Sequence, residues 1–519
     1  MSILRRTSRI AVLAAALAAA VPTVASAATR YVAPGGKSSG TCDAAAPCSY
    51  SYVFKSFAAG TGDTVVMKEG TYDIGKVGLT IDRRLDVVAD PQAATRPLIR
   101  TTLDNATAVH VGVLGWGTTL KGLDIEATSK NGGTALDLAG DATATDLNLT
   151  CGERCVKAGT NNSRIVLQDS RVAMSGGGLV AIELDNGGTV RRTAVKVSGG
   201  GSGVFIGPAS LLEDTTIDSD GSGAGFFGGT VQRVAIRSKF TALFVSRTTL
   251  VRDALVIATA PYADALETDG TATARNVTAV APATGGAGLS TIPSGPKTPA
   301  SIDARNVIAR GAGKDVDGYA PSAGGFGCPC PDSTIDIAYS NFRTKGDAVV
   351  DHGVAGHNQS ADPLFVDAPK GDYRLAPGSP AIDAGTLDAS LGLTDVAGGP
   401  RKKGAAPDLG AFETTPPPTP ADHTAPLLSK VKVKRNAPAR VTFTLSEKAT
   451  VKVTIRRKLK AGKPATVRTL TFAGKKGPNS GRIAKTALQP GRFTVTLIAT
   501  DAAKNKSTPI TRKLLVTAP

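Results

Sequence analysis

The densest set of groups able to do chemistry is Tyr262, Asp264, Glu267 and Asp269. Three carboxylates beside a phenol on one turn could hold Ca²⁺ through oxygen ligands, or grip sugar hydroxyls. The alternative is a plain polar loop; no cofactor is expected, Ca²⁺ being the one this chemistry would admit. Asp218-Ser219-Asp220-Gly221 has the spacing that opens a calcium loop but lacks the later bidentate glutamate, so it reads as a turn. Glycoside hydrolysis needs two carboxylates facing each other across one bond, and nothing in the spacing forces that arrangement. There is no Asp-Asp pair and no Gly-His-Gly, and the four histidines (110, 352, 357 and 423) show no metal-ligand spacing with the cysteines.

The six cysteines fall in three close pairs: Cys42 with Cys48, Cys151 with Cys155, and Cys328 with Cys330. Close, even pairs outside the cytoplasm read as local disulfides; the last would close a strained, very small ring, with a reducible bond or pairing elsewhere as the alternative. Export is expected from the first residues. Arg5, Arg6 and Arg9 precede an apolar run too short to span a bilayer, and Ala25-Ser26-Ala27 then offers a cleavage site. No later segment reads as transmembrane.

Charge is divided sharply. Residues 421–519 carry 22 Lys/Arg against Asp422, Glu447 and Asp501, a balance of +19, which leaves −2 for the remainder of a +17 chain. Arg456, Arg457, Lys458, Lys460, Lys475 and Lys476 are candidates to bind a polyanion. Export argues against a specific nucleic acid as partner and for an extracellular or cell-wall polysaccharide.

The elements that must position these groups come from a repeat. From Leu120 onward an apolar–x–x–apolar or small–x–apolar unit recurs, beginning at 120, 144, 167, 190, 212, 231, 251, 274, 304 and 337. The last three residues of each unit alternate as a strand does, and Gly, Asn, Asp and Ser clusters separate the copies. A unit of this size cannot bury its own apolar face, so copies must stack. The prediction is all-β: a right-handed parallel β-helix solenoid with the apolar positions inside. A β-propeller would need a longer repeat, and a leucine-rich repeat a fixed Leu/Asn frame. Stacking also aligns Lys196, Asp218 and Arg237 on successive coils, as a row able to grip a charged polymer or as a solvated charge ladder.

Solenoid ends need covers. Residues 47–57 read as a short amphipathic helix capping the N-terminal side. At the other side, residues 361–386, ADPLFVDAPKGDYRLAPGSPAIDAGT, combine Asp, Pro and Gly turns with Phe365, Tyr373, Leu375 and Ile382. They read as a plug for the apolar end of the rod rather than as a catalytic segment. Residues 414–426 are a Pro-rich spacer. Beyond it, alternating segments at 430–434, 441–445, 451–455, 467–472, 493–499 and 508–516 predict a β-sandwich over 427–519.

TRYVAPGG followed by GDTVVMKEGTYDI resembles the N-terminal end of right-handed parallel β-helix proteins of the pectate-lyase-like superfamily. Residues 361–386, continuing to DVAGGPRKKGAAPDLGAFE, resemble the C-terminal part of bacterial surface β-helix proteins of the choice-of-anchor type. LQPGRFTVTLIATDAAKNKS is similar to the late strands of Ig-like or fibronectin-III-like modules. The resemblance covers about residues 29–413 and implies a β-helix body at the cell surface or secreted. No sorting motif or hydrophobic tail of such families is present in the sequence. The expectation is a monomeric, non-catalytic exported protein that binds polysaccharide or envelope polymer, its β-helix body over residues 28–413 tethered by charge through the basic module. The alternative is a polysaccharide lyase or glycoside hydrolase acting on acidic polysaccharide, with the basic sandwich attaching it.

Overall fold

The computed structural model describes residues 27–517 apart from 57, 77, 130, 160–163, 178, 294, 296–297, 320–332, 416–423, 435–438, 458–464 and 484–487. Nearly all of the expected leader, the Cys328/Cys330 pair, Lys458, Lys460 and most of the proline spacer lie outside the described residues. Contacts divide the chain into two compact units, Met1–Pro416 and Pro417–Pro519.

The first unit is a parallel β-solenoid. Each coil presents strands to three faces, and the third face is one continuous sheet of 11 strands. The repeat sets the register. Leu120 pairs with Ala144, Ala144 with Leu167, Leu167 with Val190, and Val190 with Leu212. The series continues through Val231, Val251, Ala274, Ala304 and Ile337 without a slip. These first positions line the first face, and the third positions of each copy, Ile125 through Phe342, line the second. All are buried. Burying each such side chain contributes about 1.5–3 kcal/mol for the larger residues, so the core grows with every coil.

The corner between the first and second faces is a single left-handed residue. It falls at Gly122, Asp146, Asp169, Arg192, Asp214, Arg233, Asp253, Asn276, Asn306 and Tyr339 in successive coils. Gly, Asn and Asp tolerate this conformation best, and they fill most of these positions. The two arginines are held by the aspartates one coil below. Arg192 pairs with Asp169 at 2.6 Å, and Arg233 with Asp214 at 2.5 Å. Just after the corner the core position is Ser170, Thr193, Thr215 or Ser340 in four coils. Each hydroxyl donates to the carbonyl two residues back, so a buried polar group is satisfied and the bend is braced.

Two earlier coils precede the visible repeat. Val65 pairs with Val87 and Val87 with Leu120; Tyr72 pairs with Ile99 and Ile99 with Ile125. Here the one-residue corner is replaced by longer connections, so the short spacing is lost from the sequence while the register persists. Cys42–Cys48 and Cys151–Cys155 are disulfides. The N-terminal side is covered by Thr29–Lys37, which pairs with Thr64–Met67, and by the helical turn Ser51–Lys55, which buries Val53 and Phe54. Arg83 ties that turn down by donating to the carbonyls of Phe54 and Ala59.

The other end departs from expectation. The last coil is closed by Val349–Asp351 on Thr334–Ala338, with Val349 packed on the core, and by His357 stacked on Tyr339 at 4.6 Å. Residues 362–413 do not plug the end. They run back along the outside of the second face as a clasp. Tyr373 packs with Leu255, Ile257 and Val280, and Leu375, Ala381 and Leu409 pack on Ile308. The physical reason is legible in the outward positions of that face. Asp124, Asn148 and Arg171 on early coils give way to Leu255 and Ile308 on later ones, and that apolar surface must be covered.

The clasp is locked by polar groups on the corner column. Asn276 donates to Asp253 Oδ1 at 2.9 Å, and Asn306 donates to Asn276 Oδ1 at 3.0 Å. Asn306 also exchanges hydrogen bonds with the backbone of Thr386. Arg401 pairs with Asp253 at 3.0 Å and lies 3.7 Å from Glu413, all three buried. Asp395 and Asp408 accept backbone N–H groups of the same segment. Gly410 has φ +86°, and a Cβ there would meet Thr278 Oγ1 at 2.5 Å, so glycine lets the clasp backbone sit directly on the solenoid.

The second unit is two antiparallel sheets around one core. One sheet has Leu428–Lys434, Arg440–Leu445 and Gly477–Arg482; the other has Ala465–Gly474, Ala449–Arg457, Gly491–Thr500 and Ile510–Val516. Val441, Phe443, Val451, Val453, Ile455, Val495 and Leu497 fill the space between them. Gly477–Arg482 has no apolar alternation, which hides it from sequence reading. Gly481 is small because a Cβ would come within 2.6 Å of the Phe472 ring.

Candidate functional site

From its second strand onward the third face carries a continuous outward column. In register it reads His110, Asp137, Lys157, Glu183, Phe205, Gly225, Phe244, Glu267, Ser290 and Asp317. Neighbours in it stand about 4.8 Å apart, the spacing of paired strands. The early part is self-compensated: His110 pairs with Asp137 at 2.9 Å and Arg154 with Glu183 at 2.8 Å. Hydrogen bonding to Asp137 holds the His110 imidazolium form above its ordinary range.

The middle part is aromatic. Phe205 and Phe244 flank Gly225, and Phe227 leans between them from the next outward position. Ring centroids are 4.9 Å apart for Phe205 and Phe227, and 6.3 Å for Phe227 and Phe244. Gly225 lies beneath the rings, its Cβ position in ordinary contact distance of Phe205, at 3.4 Å. The three rings are half-buried and form a partly open apolar strip.

The strip ends on carboxylates. Glu267 is paired in register with Phe244, and Asp264 and Asp269 lie on the same coil. Asp264 Oδ1 accepts the Ala287 N–H at 2.7 Å, and Glu267 Oε2 accepts the Thr241 hydroxyl at 3.3 Å. Burial raises both acids above their ordinary range. The charges of Asp264 and Asp269 push Glu267 further, and Asp317 pushes Asp264. The neighbouring Ser290 hydroxyl works against this by favouring the ionised form of Asp264. None of Asp264, Glu267 and Asp269 has an ion pair among the described residues, whereas Asp317 is held by Lys314 at 3.0 Å. Tyr262 is 79% exposed, its ring lying over Gly285 of the next coil. The structure therefore brings Tyr262, Asp264, Glu267 and Asp269 to one place. Among the described residues no group of three His, Cys, Asp or Glu is arranged to hold a metal ion.

The other candidates are dispersed. Lys196, Asp218 and Arg237 do stand in register on the second face, exposed and with no ion pair between them. Arg237 sits at the rim of a 410 Å³ groove shared with Arg310, Asp362, Phe365 and Tyr373 of the clasp boundary. Asp220 accepts the N–H groups of Gly199 and Gly200, which lower its pKa and make it a brace between coils. In the second unit Arg456 and Arg457 lie at one end of the Ala449–Arg457 hairpin, with Lys475 and Lys476 at the other, about 25 Å away. Arg457 is taken up by stacking on Phe493 at 6.0 Å. These cations do not form one site.

Sequence reasoning missed Phe205, Phe227 and Phe244, because variable corner loops separate them by irregular intervals. Aligning the third-face strands, rather than the first, would have exposed the column. Among the described residues no helix is long and apolar enough to cross a membrane. No protein-family model matches the chain, and no curated protein is significantly similar to it, so function has to be argued from geometry.

Proposed function

We propose that the chain is an exported, surface-associated β-solenoid protein that binds a linear polysaccharide along its third face. The observation that carries this is the partly open Phe205–Phe227–Phe244 strip running into the unpaired carboxylates of Asp264, Glu267 and Asp269. Half-open rings stack on the apolar faces of sugars, and carboxylates accept hydrogen bonds from their hydroxyls. A long column with one step per coil suits a polymer better than a small molecule. Because the strip ends on negative charge, a neutral polymer is favoured over the acidic one expected from net charge. The leader-like N-terminus and the resemblance of residues 29–413 to surface β-helix proteins support the exported location. Affinity electrophoresis of the full chain against neutral linear polysaccharides tests the reading. Retardation by at least one polymer that F205A/F244A abolishes is expected; retardation unchanged in that variant would refute it.

A glycoside hydrolase is the second reading, favoured by one observation: Asp264 and Glu267 are both raised, as a general acid must be. Release of reducing ends lost in E267Q, with a rate that falls as pH rises through the raised pKa, would establish it.

A further inference from the structure

The outer face of the three-stranded sheet in the second unit places like charges directly opposite one another. Lys434 is paired with Arg440, and Arg440 with Arg482, giving three exposed cations in one cross-strand row. Neighbours in such a row stand about 4.8 Å apart. The next outward row is Lys432, Thr442 and Ser480, and Lys430 projects beside it from a bulge with φ +49°. Together Lys430, Lys432, Thr442, Thr444 and Ser480 line a groove of 620 Å³. None of the five cations makes an ion pair, because every ion pair among the described residues lies in the first unit. Like charges directly opposite destabilise a sheet, and among the described residues no ion pair relieves them.

We propose that this face is a binding site for a carboxylate-bearing linear polysaccharide, seated across the strands along the Lys434–Arg440–Arg482 row. A polymer with one charge per sugar can neutralise the row repeatedly. The hydroxyls of Thr442, Thr444 and Ser480 flank the groove and can meet sugar hydroxyls. Single-stranded nucleic acid is disfavoured, because Phe443, the one aromatic residue lining the groove, is buried and offers no stacking platform. The site differs from the Arg456 and Lys475 clusters expected from sequence, and it stands independently of the third face of the solenoid.

The test uses the full chain and immobilised polygalacturonate, with single-stranded DNA and a neutral glucan in parallel. K434Q/R440Q/R482Q is expected to weaken polygalacturonate binding at moderate salt by about tenfold, from three lost charge contacts. R456Q/K475Q/K476Q, which removes the same charge elsewhere, should change it by less than about twofold. Equal losses in the two variants would overturn the site, leaving only diffuse attraction by net charge. Tighter binding to DNA than to polygalacturonate would overturn the ligand class. F205A/F244A should leave polygalacturonate binding intact, so failure of the solenoid reading is separable from failure of this one. The three substituted side chains are exposed, and a melting temperature no lower than that of the parent chain checks that folding is intact.

Discussion

Two groups of carboxylates, one buried and one half-buried, sit on the same solenoid and have opposite meanings. In the clasp, Asp253, Asp408 and Glu413 are pushed up by burial, Glu413 to about 7. Each has its partners: Asp253 has Arg401 and Asn276, Glu413 has the N–H groups of Lys403 and Asp408, and Asp408 has those of Asp383 and Thr414. On the third face Asp264 and Glu267 are also raised by burial, yet among the described residues no cation pairs with them, and they adjoin a partly open aromatic strip. Burial answered by a cation or by backbone N–H groups describes a fastener. Burial without pairing, beside an apolar surface, describes a place kept ready for something else.

The comparison is tested first by removing partners. R401A leaves Asp253 and Glu413 without their cation, and should lower unfolding free energy by about 3–5 kcal/mol in chemical denaturation. E267Q should do the reverse in sign, leaving the melting temperature unchanged or slightly higher, because it removes a charge that, among the described residues, no cation answers. A marked loss of stability in E267Q would erase the distinction.

Removing one ring comes next. F244A should weaken polysaccharide binding by about tenfold, as expected for the loss of about 1.5 kcal/mol of aromatic contact, with stability little changed.

The pH response separates the groups further. Below pH 4.5 Glu413 is protonated both folded and unfolded. Between there and about 7 only the folded chain keeps the proton. Stability contributed by Glu413 is thus fully present below 4.5 and is lost as pH rises through 7. Melting temperatures of E413Q followed across that window should flatten relative to the parent chain; an unchanged slope would place the titration elsewhere. The smallest effect is expected at Asp220. D220A removes two backbone hydrogen bonds at an exposed turn, for about 1 kcal/mol, and should not alter binding.

Much of the fold was legible because the interior enforces it. Ten copies from Leu120 to Phe342 could be aligned by eye, and each lies in the predicted register with its apolar positions buried. The coils through Val65 and Val87 were not, since longer corners break the spacing without disturbing the pairing. The clasp was recognised as a unit but misplaced. Its apolar residues announce that they cover something, whereas the surface they cover is signalled only by Leu255, Ile257, Val280 and Ile308 at positions that elsewhere are polar. The site was half legible. Tyr262, Asp264, Glu267 and Asp269 are close in sequence. Their aromatic neighbours Phe205, Phe227 and Phe244 become neighbours only through stacking.

The central claim is that the third-face carboxylates are available to a ligand and the clasp carboxylates are not. Carbodiimide-driven amine labelling, read by mass spectrometry with and without a bound neutral oligosaccharide, tests it directly. Asp264, Glu267 and Asp269 should label in the free protein and be protected by the sugar, while Asp253, Asp408 and Glu413 stay unlabelled in both states. Labelling of the clasp carboxylates, or third-face labelling that a bound sugar leaves unchanged, would contradict the account.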